Sequence, residues 1–435
     1  MKTTHKATRI NLRDFNSAPM RAFHMTWLAF FICFFGWFGI APLMPIIRDE
    51  LHLTKSQIGN SVIASVAITV LVRLIAGWLC DRIGPRRTYT GLLILGSIPV
   101  ICVGLVHDYT SFLIFRLAIG AIGASFVITQ YHTSVMFAPG IVGTASATTA
   151  GWGNLGGGLT QMVMPLLAGG FMNAGLSAAL SWRLAMMVAG VALLLTGIAY
   201  YFLTQDTPEG NFSRSGRSSA ASGTFAEACR DYRVWTLALI YAACFGIELT
   251  IDNIAALYFT DTFHLSLKMA GVVAGSFGML NLFARPLGGI VSDRCGQRLG
   301  LRGRGQLLGW TLAAEGIAMI LFSQTRTLGL AITAMMVTGL FVKMSSGATF
   351  SVVPFVNKRA LGAVAGIVGA GGNAGAVLAG FLFKMPSLTY SYCFLILGFA
   401  ICASASLAFT VRFARHDAPE EMAAPQADAV LAATA

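Results

Sequence analysis

Charge is what this chain has least of. Only 11% of its 435 residues are Asp, Glu, Lys or Arg, and the acids number just 18. Soluble domains carry about 25% charged residues. The shortfall excludes a soluble globular fold. With 56% hydrophobic residues and a mean hydropathy of +0.71, it makes the chain an integral membrane protein, with the lipid bilayer as its partner. Metal-ligand patterns are also missing: the eight cysteines lie mostly inside apolar runs, at neither disulfide nor zinc spacing, and His132 and the loop histidines have no ligand partners in sequence. Neither a phosphate-binding loop after a strand nor a nucleophile elbow is present, so neither an enzyme nor a cofactor or metal is expected. The basic N-terminus runs into a full-length apolar span from about His24, with no clear cleavage site, so that span is expected to stay as the first helix.

What is present is length in apolar runs. They fall at 24–46, 58–79, 89–107, 111–136, 143–171, 184–203, 234–259, 269–292, 305–323, 328–356, 360–383 and 390–411. At about 20 residues per span these are twelve transmembrane helices. The expected organisation is an N-terminal segment 1–23, a six-helix bundle 24–203, a Ser-, Gly- and Arg-rich linker 204–233, a second bundle 234–411 and a tail 412–435. With both termini placed inside, the inner segments collect twenty of the 30 Lys and Arg, among them Lys2, Arg82, Arg86, Arg87, Arg214, Arg217, Arg294, Arg298, Arg304, Arg412 and Arg415. The outer segments hold Arg48, Lys55, Arg183, Lys268, Arg326 and Lys384. This asymmetry predicts cytoplasmic termini in a cell (inner) membrane, and it accounts for the net charge of +12 without nucleic acid.

The halves repeat each other. Arg73-x3-Gly77-x3-Asp81-Arg82-x-Gly84 recurs as Arg285-x3-Gly289-x3-Asp293-Arg294-x-Gly296. Gly153-Asn154-Leu155-Gly156 recurs as Gly372-Asn373-Ala374-Gly375. Ahead of each Asn run small residues at matched offsets: Gly143, Ala147 and Gly151 in the first, Gly362, Gly366 and Ala370 in the second. On a helix each set is one smooth stripe that lets a neighbouring backbone approach. The expected architecture is therefore all-α, with two pseudo-symmetric bundles related by an axis along the membrane normal and a binding site between them.

The loop pattern Gly77-x3-Asp81-Arg82-x-Gly84-x-Arg86-Arg87 resembles the cytoplasmic loop of the major facilitator superfamily. The paired Gly-Asn-x-Gly helices are similar to those of its nitrate/nitrite porter family. FGIELTIDN (Phe245 to Asn253) and GATFSVVPFV (Gly347 to Val356) resemble the high-affinity uptake branch. The resemblance covers about residues 24 to 411. It implies a transporter for nitrate, and also nitrite, with Arg73 and Arg285 as substrate ligands and aromatic walls at Phe126, Tyr241 and Phe245. Where that branch commonly carries a neutral residue, this chain has Lys343, which either pairs with Glu248 or adds a third positive charge.

The residues themselves point the same way. Arg73 lies eight residues before Asp81, roughly 12 Å along the helix from the inner surface. An Arg so deep needs a partner, and neither Arg73 nor Arg285 has an acid in its own span. A flat, permanently charged fork of donors matches a planar anion. For Asn154 and Asn373, the residues alone leave a donor role to the anion and an interhelical hydrogen bond both open, and the resemblance implies that they line the substrate site; the glycines read as packing and rocking surfaces. Glu248 and Asp252, four apart on one face, repel one another, so one is expected to hold a proton and serve coupling; pairing with basic partners is the alternative, and Glu315 is a third candidate. Arg116 reads as structural. The expected activity is uptake by alternating access in symport with protons, from a monomer. The competing readings are nitrate/nitrite exchange without proton coupling, a non-transporting nitrate sensor, and a carrier of another small anion.

Overall fold

The structure, a computed structural model, describes residues 6–212, 224–265, 267–383, 385 and 387–411. Lys2, Arg214, Arg217, Lys384, Arg412 and Arg415, together with the tail 412–435, lie outside the described residues.

Local chemistry sets the ends of the helices. α1 (Ala18–Phe38) starts after an extended Ser17 with Pro19 in its first turn. α2 (Lys55–Ile83) starts at a capping box of Thr54 and Gln57 and stops at Gly84, whose φ of 89° suits glycine. α3 (Pro85–Cys102) follows at once. α4 (Tyr109–Met136) is two helices joined by a tight turn, Ala121–Ala124. α5 (Val142–Asn173) and α6 (Ala178–Leu203) complete the first bundle. The 204–233 linker, expected as loop, also holds a short helix, Thr224–Arg230. α7 (Tyr232–Phe263) begins earlier than the hydropathy implies because the Asp231 carboxylate caps it through the Arg233 amide. α8 runs through Leu267–Met279, breaks at Leu280–Leu282 and resumes at Ala284. The helix Ala284–Ser323 has 40 residues, about 60 Å at 1.5 Å each, twice a bilayer core of about 30 Å. It turns at Gly300 (φ 64°, ψ −159°), which closes α8 and opens α9 (301–323). α10 (Leu328–Val352), α11 (Leu361–Phe383) and α12 (Tyr390–Ala408) follow. The result is twelve spans and, among the described residues, no strand beyond two isolated bridges.

The two bundles meet along α2 against α11 and α5 against α8. At the basic end each bundle caps a helix of the other. The Asp81 carboxylate accepts from the Gly362 and Ala363 amides, both at 2.9 Å, at the start of α11. The Asp293 carboxylate accepts from the Gly143 and Thr144 amides, at 3.0 and 2.6 Å, and from the Thr144 hydroxyl at 2.7 Å, at the start of α5. A carboxylate on free helical N–H groups at the positive end of a helix dipole is a favourable placement twice over. Arg304 adds an ion pair to Asp293 at 2.7 Å and a hydrogen bond to the Pro139 carbonyl at 2.8 Å.

The glycine stripes follow the same two-fold rule. On α5, Gly143 and Gly151 face α8 and α10 of the other bundle, while Gly153 and Gly156 sit on Phe30 and Phe31 of α1. On α11, Gly362 and Gly366 face α2 across the interface, while Gly372 and Gly375 sit on Tyr241, Phe245 and Ala242 of α7. A β-carbon at any of these eight positions would run into the neighbouring helix.

Candidate functional site

About two thirds of the way along α2, Arg73 is completely buried. Its Nε and Nη2 donate to the Gly123 carbonyl at 3.4 and 3.3 Å, and Nη1 donates to the Gly369 carbonyl of α11. The Gly123 carbonyl sits in the Ala121–Ala124 turn that interrupts α4, where the helical ladder releases acceptors. The guanidinium lies over the rings of Phe126 (5.2 Å) and Phe245 (5.3 Å). Among the described residues no acid pairs with it.

Arg285 differs, and here the expectation of two equivalent cations needs correction. Its Nη2 donates to Glu248 Oε2 at 2.7 Å. Glu248 Oε1 accepts from Asn281 Nδ2 at 2.8 Å and from Lys343 Nζ at 3.1 Å. All four side chains are buried. The acid comes from α7, 37 residues before Arg285, and the break at Leu280–Leu282 turns Asn281 toward it. Glu248 is thus the shared counter-ion of two cations, which is the pairing alternative read from the sequence. Lys343 takes the first of its two expected roles. Arg285 still keeps Nε and Nη1 without partners.

An aromatic wall lies against both guanidiniums. Phe126, Tyr241 and Phe245 are mutually stacked, with centroids 5.0 to 5.8 Å apart, and Phe245 also lies 5.5 Å from the Arg285 guanidinium carbon. Phe350 closes the group edge-on, 4.7 Å from Phe126 and 4.9 Å from Tyr241. The Tyr241 hydroxyl and both amide atoms of Asn154 and Asn373 are buried without hydrogen-bond partners, so the interhelical hydrogen bond is not made by either Asn. Buried polar atoms left unpaired cost free energy, and an anion supplies what the donors lack.

The structure therefore gathers Arg73, Arg285, Phe126, Tyr241 and Phe245 around one centre. Asp252, one turn beyond Glu248 on α7, is exposed and makes no ion pair of the cluster, but lies within electrostatic reach of Lys343, Glu248 and Arg285. Arg116 bonds within its own bundle, to the Trp37 carbonyl and the Ser65 hydroxyl. Sequence reasoning missed Phe350 and Asn281 as members; Phe350 lies inside the quoted GATFSVVPFV stretch, while nothing in sequence marks Asn281.

Comparison with known proteins bears on the family and the fold. The Major Facilitator Superfamily model matches residues 26–380. High affinity nitrate transporter 2.5 of Arabidopsis thaliana is 41% identical over 394 residues, 89% of this chain and 78% of that protein. The nitrate/nitrite transporter NrtP of Nostoc punctiforme is 28% identical, over 88% of this chain and 90% of that one. Among solved structures, the E. coli fucose:proton symporter FucP aligns with a TM-score of 0.70 at 14% identity, covering 91% of this chain and all of that one, which speaks for the fold alone. Twelve helices, reciprocal loop motifs, paired Gly-Asn-x-Gly helices and these relatives lead to one classification: the chain is a multi-pass membrane transporter of the nitrate/nitrite porter family within the major facilitator superfamily.

Proposed function

We propose that this protein takes up nitrate, and also nitrite, by alternating access through the core of a single chain. Arg73 carries the reading: it is buried, lies over two rings, donates to carbonyls and has no acid partner among the described residues. Around it, Arg285 and Lys343 share the carboxylate of Glu248, which leaves Arg73 outside that pairing. A small monovalent anion between the guanidiniums satisfies the free Nε and Nη1 of Arg285 and draws donors from Asn154 and Asn373. The stacked rings exclude water and fit the flat faces of a trigonal ion. Because all these groups come from one chain, a monomer suffices. The basic end, closed by Asp81 and Asp293, is assigned to the cytoplasm with both termini, in a cell inner membrane, and nitrate assimilation is the physiological role.

Uptake against an inside-negative potential is uphill by about 2.3 kcal/mol per 100 mV, so proton symport is the first reading of the energetics. Nitrate/nitrite exchange is the second. One observation favours it: Glu248 is already engaged by three donors and takes a proton only by giving up ion pairs. The test of the site is counterflow of labelled nitrate in proteoliposomes. Arg73→Lys and Arg285→Lys each lose a forked donor, a charge-assisted contact of about 1.5–3 kcal/mol, so transport falls about tenfold or more. Near-normal counterflow in both variants would remove the assignment.

A further inference from the structure

Five acids are buried among the described residues: Asp81, Asp206, Glu248, Asp293 and Glu315. Four of them are satisfied. Asp81 and Asp293 cap helices, Asp206 accepts from the Arg86 and Phe212 amides at 2.9 and 3.0 Å, and Glu248 has its two cations and an amide. Glu315, in the middle of α9, is the exception. It has no exposed surface, and among the described residues neither carboxyl oxygen has an ion pair or a hydrogen bond of ordinary geometry. Its polar and titratable surroundings are the Ser345 hydroxyl of α10, the Cys244 thiol and Glu248 of α7, and the Cys402 thiol of α12. Ser345 and its neighbour Ser346 likewise have unpaired hydroxyls. Lys343, two residues before Ser345, spends its ammonium on Glu248 and the face of Phe277. A bare carboxylate is a poor occupant of such a place, while a neutral carboxylic acid is accommodated.

We propose that Glu315 is the proton-carrying group of this transporter, and that Glu248 is a fixed counter-ion. The proposal rests on the nitrate reading above. With a proton on Glu315, the core keeps the positive surplus that holds an anion. When the proton leaves, a second carboxylate forms within electrostatic reach of Glu248 and its cations, and the surplus falls by one charge. Anion affinity therefore falls with it. By linkage the bound anion raises proton affinity to the same degree, so proton and anion enter and leave together. No bond beyond the O–H of the carboxyl is made or broken: the proton comes from the outer solution and is delivered to the inner one.

The experiment uses the full chain in proteoliposomes, wild type against Glu315→Gln and Glu315→Asp. In wild type, nitrate accumulates under an inward proton gradient, and nitrate affinity falls as pH rises. In Glu315→Gln, a permanent mimic of the neutral acid, nitrate/nitrite exchange persists within about twofold. Gradient-driven accumulation is lost, and affinity no longer varies with pH. A carrier without coupling relaxes toward an inside concentration about fiftyfold below the outside at 100 mV, the fold-change equivalent of about 2.3 kcal/mol. Glu315→Asp, which keeps the carboxyl, restores gradient-driven accumulation, a result that a packing role for the side chain does not give. Equal accumulation in wild type and Glu315→Gln, or failure of Asp to restore it, overturns the proposal. Absence of nitrate flux in wild type under every condition overturns the nitrate reading instead.

Discussion

At the scale of single residues, the two guanidiniums do different work. Arg73 is held by carbonyls and rings and has its charge uncompensated, whereas Arg285 belongs to a four-residue cluster with Glu248, Asn281 and Lys343. Removing one partner of a buried ion pair costs about 3–5 kcal/mol, because the survivor is left charged and dry. Glu248→Gln strands two cations, so its thermal unfolding in detergent should show a loss of that size. Adding Lys343→Met removes one stranded charge and recovers part of it. Asp252→Asn, at an exposed position, should change stability by no more than about 0.5 kcal/mol. If Glu248→Gln is as stable as wild type, the cluster is not what ties α7, α8 and α10 together. The sequence shows both arginines, since they repeat at identical offsets from Asp81 and Asp293. It does not show that one has an acid and that the other, among the described residues, has none. Periodicity within a span says nothing about the register between α7 and α8.

At the scale of elements, the repeated loop motif is a pair of reciprocal helix caps. Asp81 reaches Gly362, 281 residues away, and Asp293 reaches Gly143, 150 residues away. The Arg-x3-Gly-x3-Asp repeat is legible as a repeat; its role as a cross-bundle cap is not, because the partner is a bare backbone amide with no side chain to read. The α4–α5 loop is held on its other side too. Ala7 forms a bridge with Phe137, its amide donating to the Met136 carbonyl at 3.0 Å, while Gln297 donates to the Gly140 carbonyl at 3.1 Å. Loss of one cap is worth about 1 kcal/mol, about a fivefold change in the ratio of closed to open states. Asp81→Ala and Asp293→Ala should therefore each shift the protein toward a state open at the basic end. Spin labels on α2 and α11 near Gly77 and Gly362 would report it as a longer distance population, and the double variant as a larger one. No change in either single variant would show that these caps do not set the balance.

At the scale of the molecule, the pseudo-symmetry pairs the residues of the proposed anion site, while the residues of the proposed coupling lie on one side only. Arg73 and Arg285, Asn154 and Asn373, and the glycine stripes of α5 and α11 all come in pairs, and the repeats in the sequence foretell that. Glu248, Lys343 and Glu315 all lie in the C-terminal half. The positive surplus of the core is a property of the whole constellation rather than of any motif. It fixes how the driving force should scale. With the membrane potential clamped at zero, each proton carried per anion adds about tenfold accumulation per pH unit, since one unit is worth about 1.36 kcal/mol. The slope of log accumulation against the pH difference therefore counts protons. A single unpartnered buried acid gives a slope of one, and a steeper slope assigns a second proton to Asp252, the next acid along α7. Pure nitrate/nitrite exchange gives a slope of zero at any gradient. That result would leave Glu315 without a transport role and make the Arg285–Glu248–Lys343 cluster a static brace beside an exchanger's site.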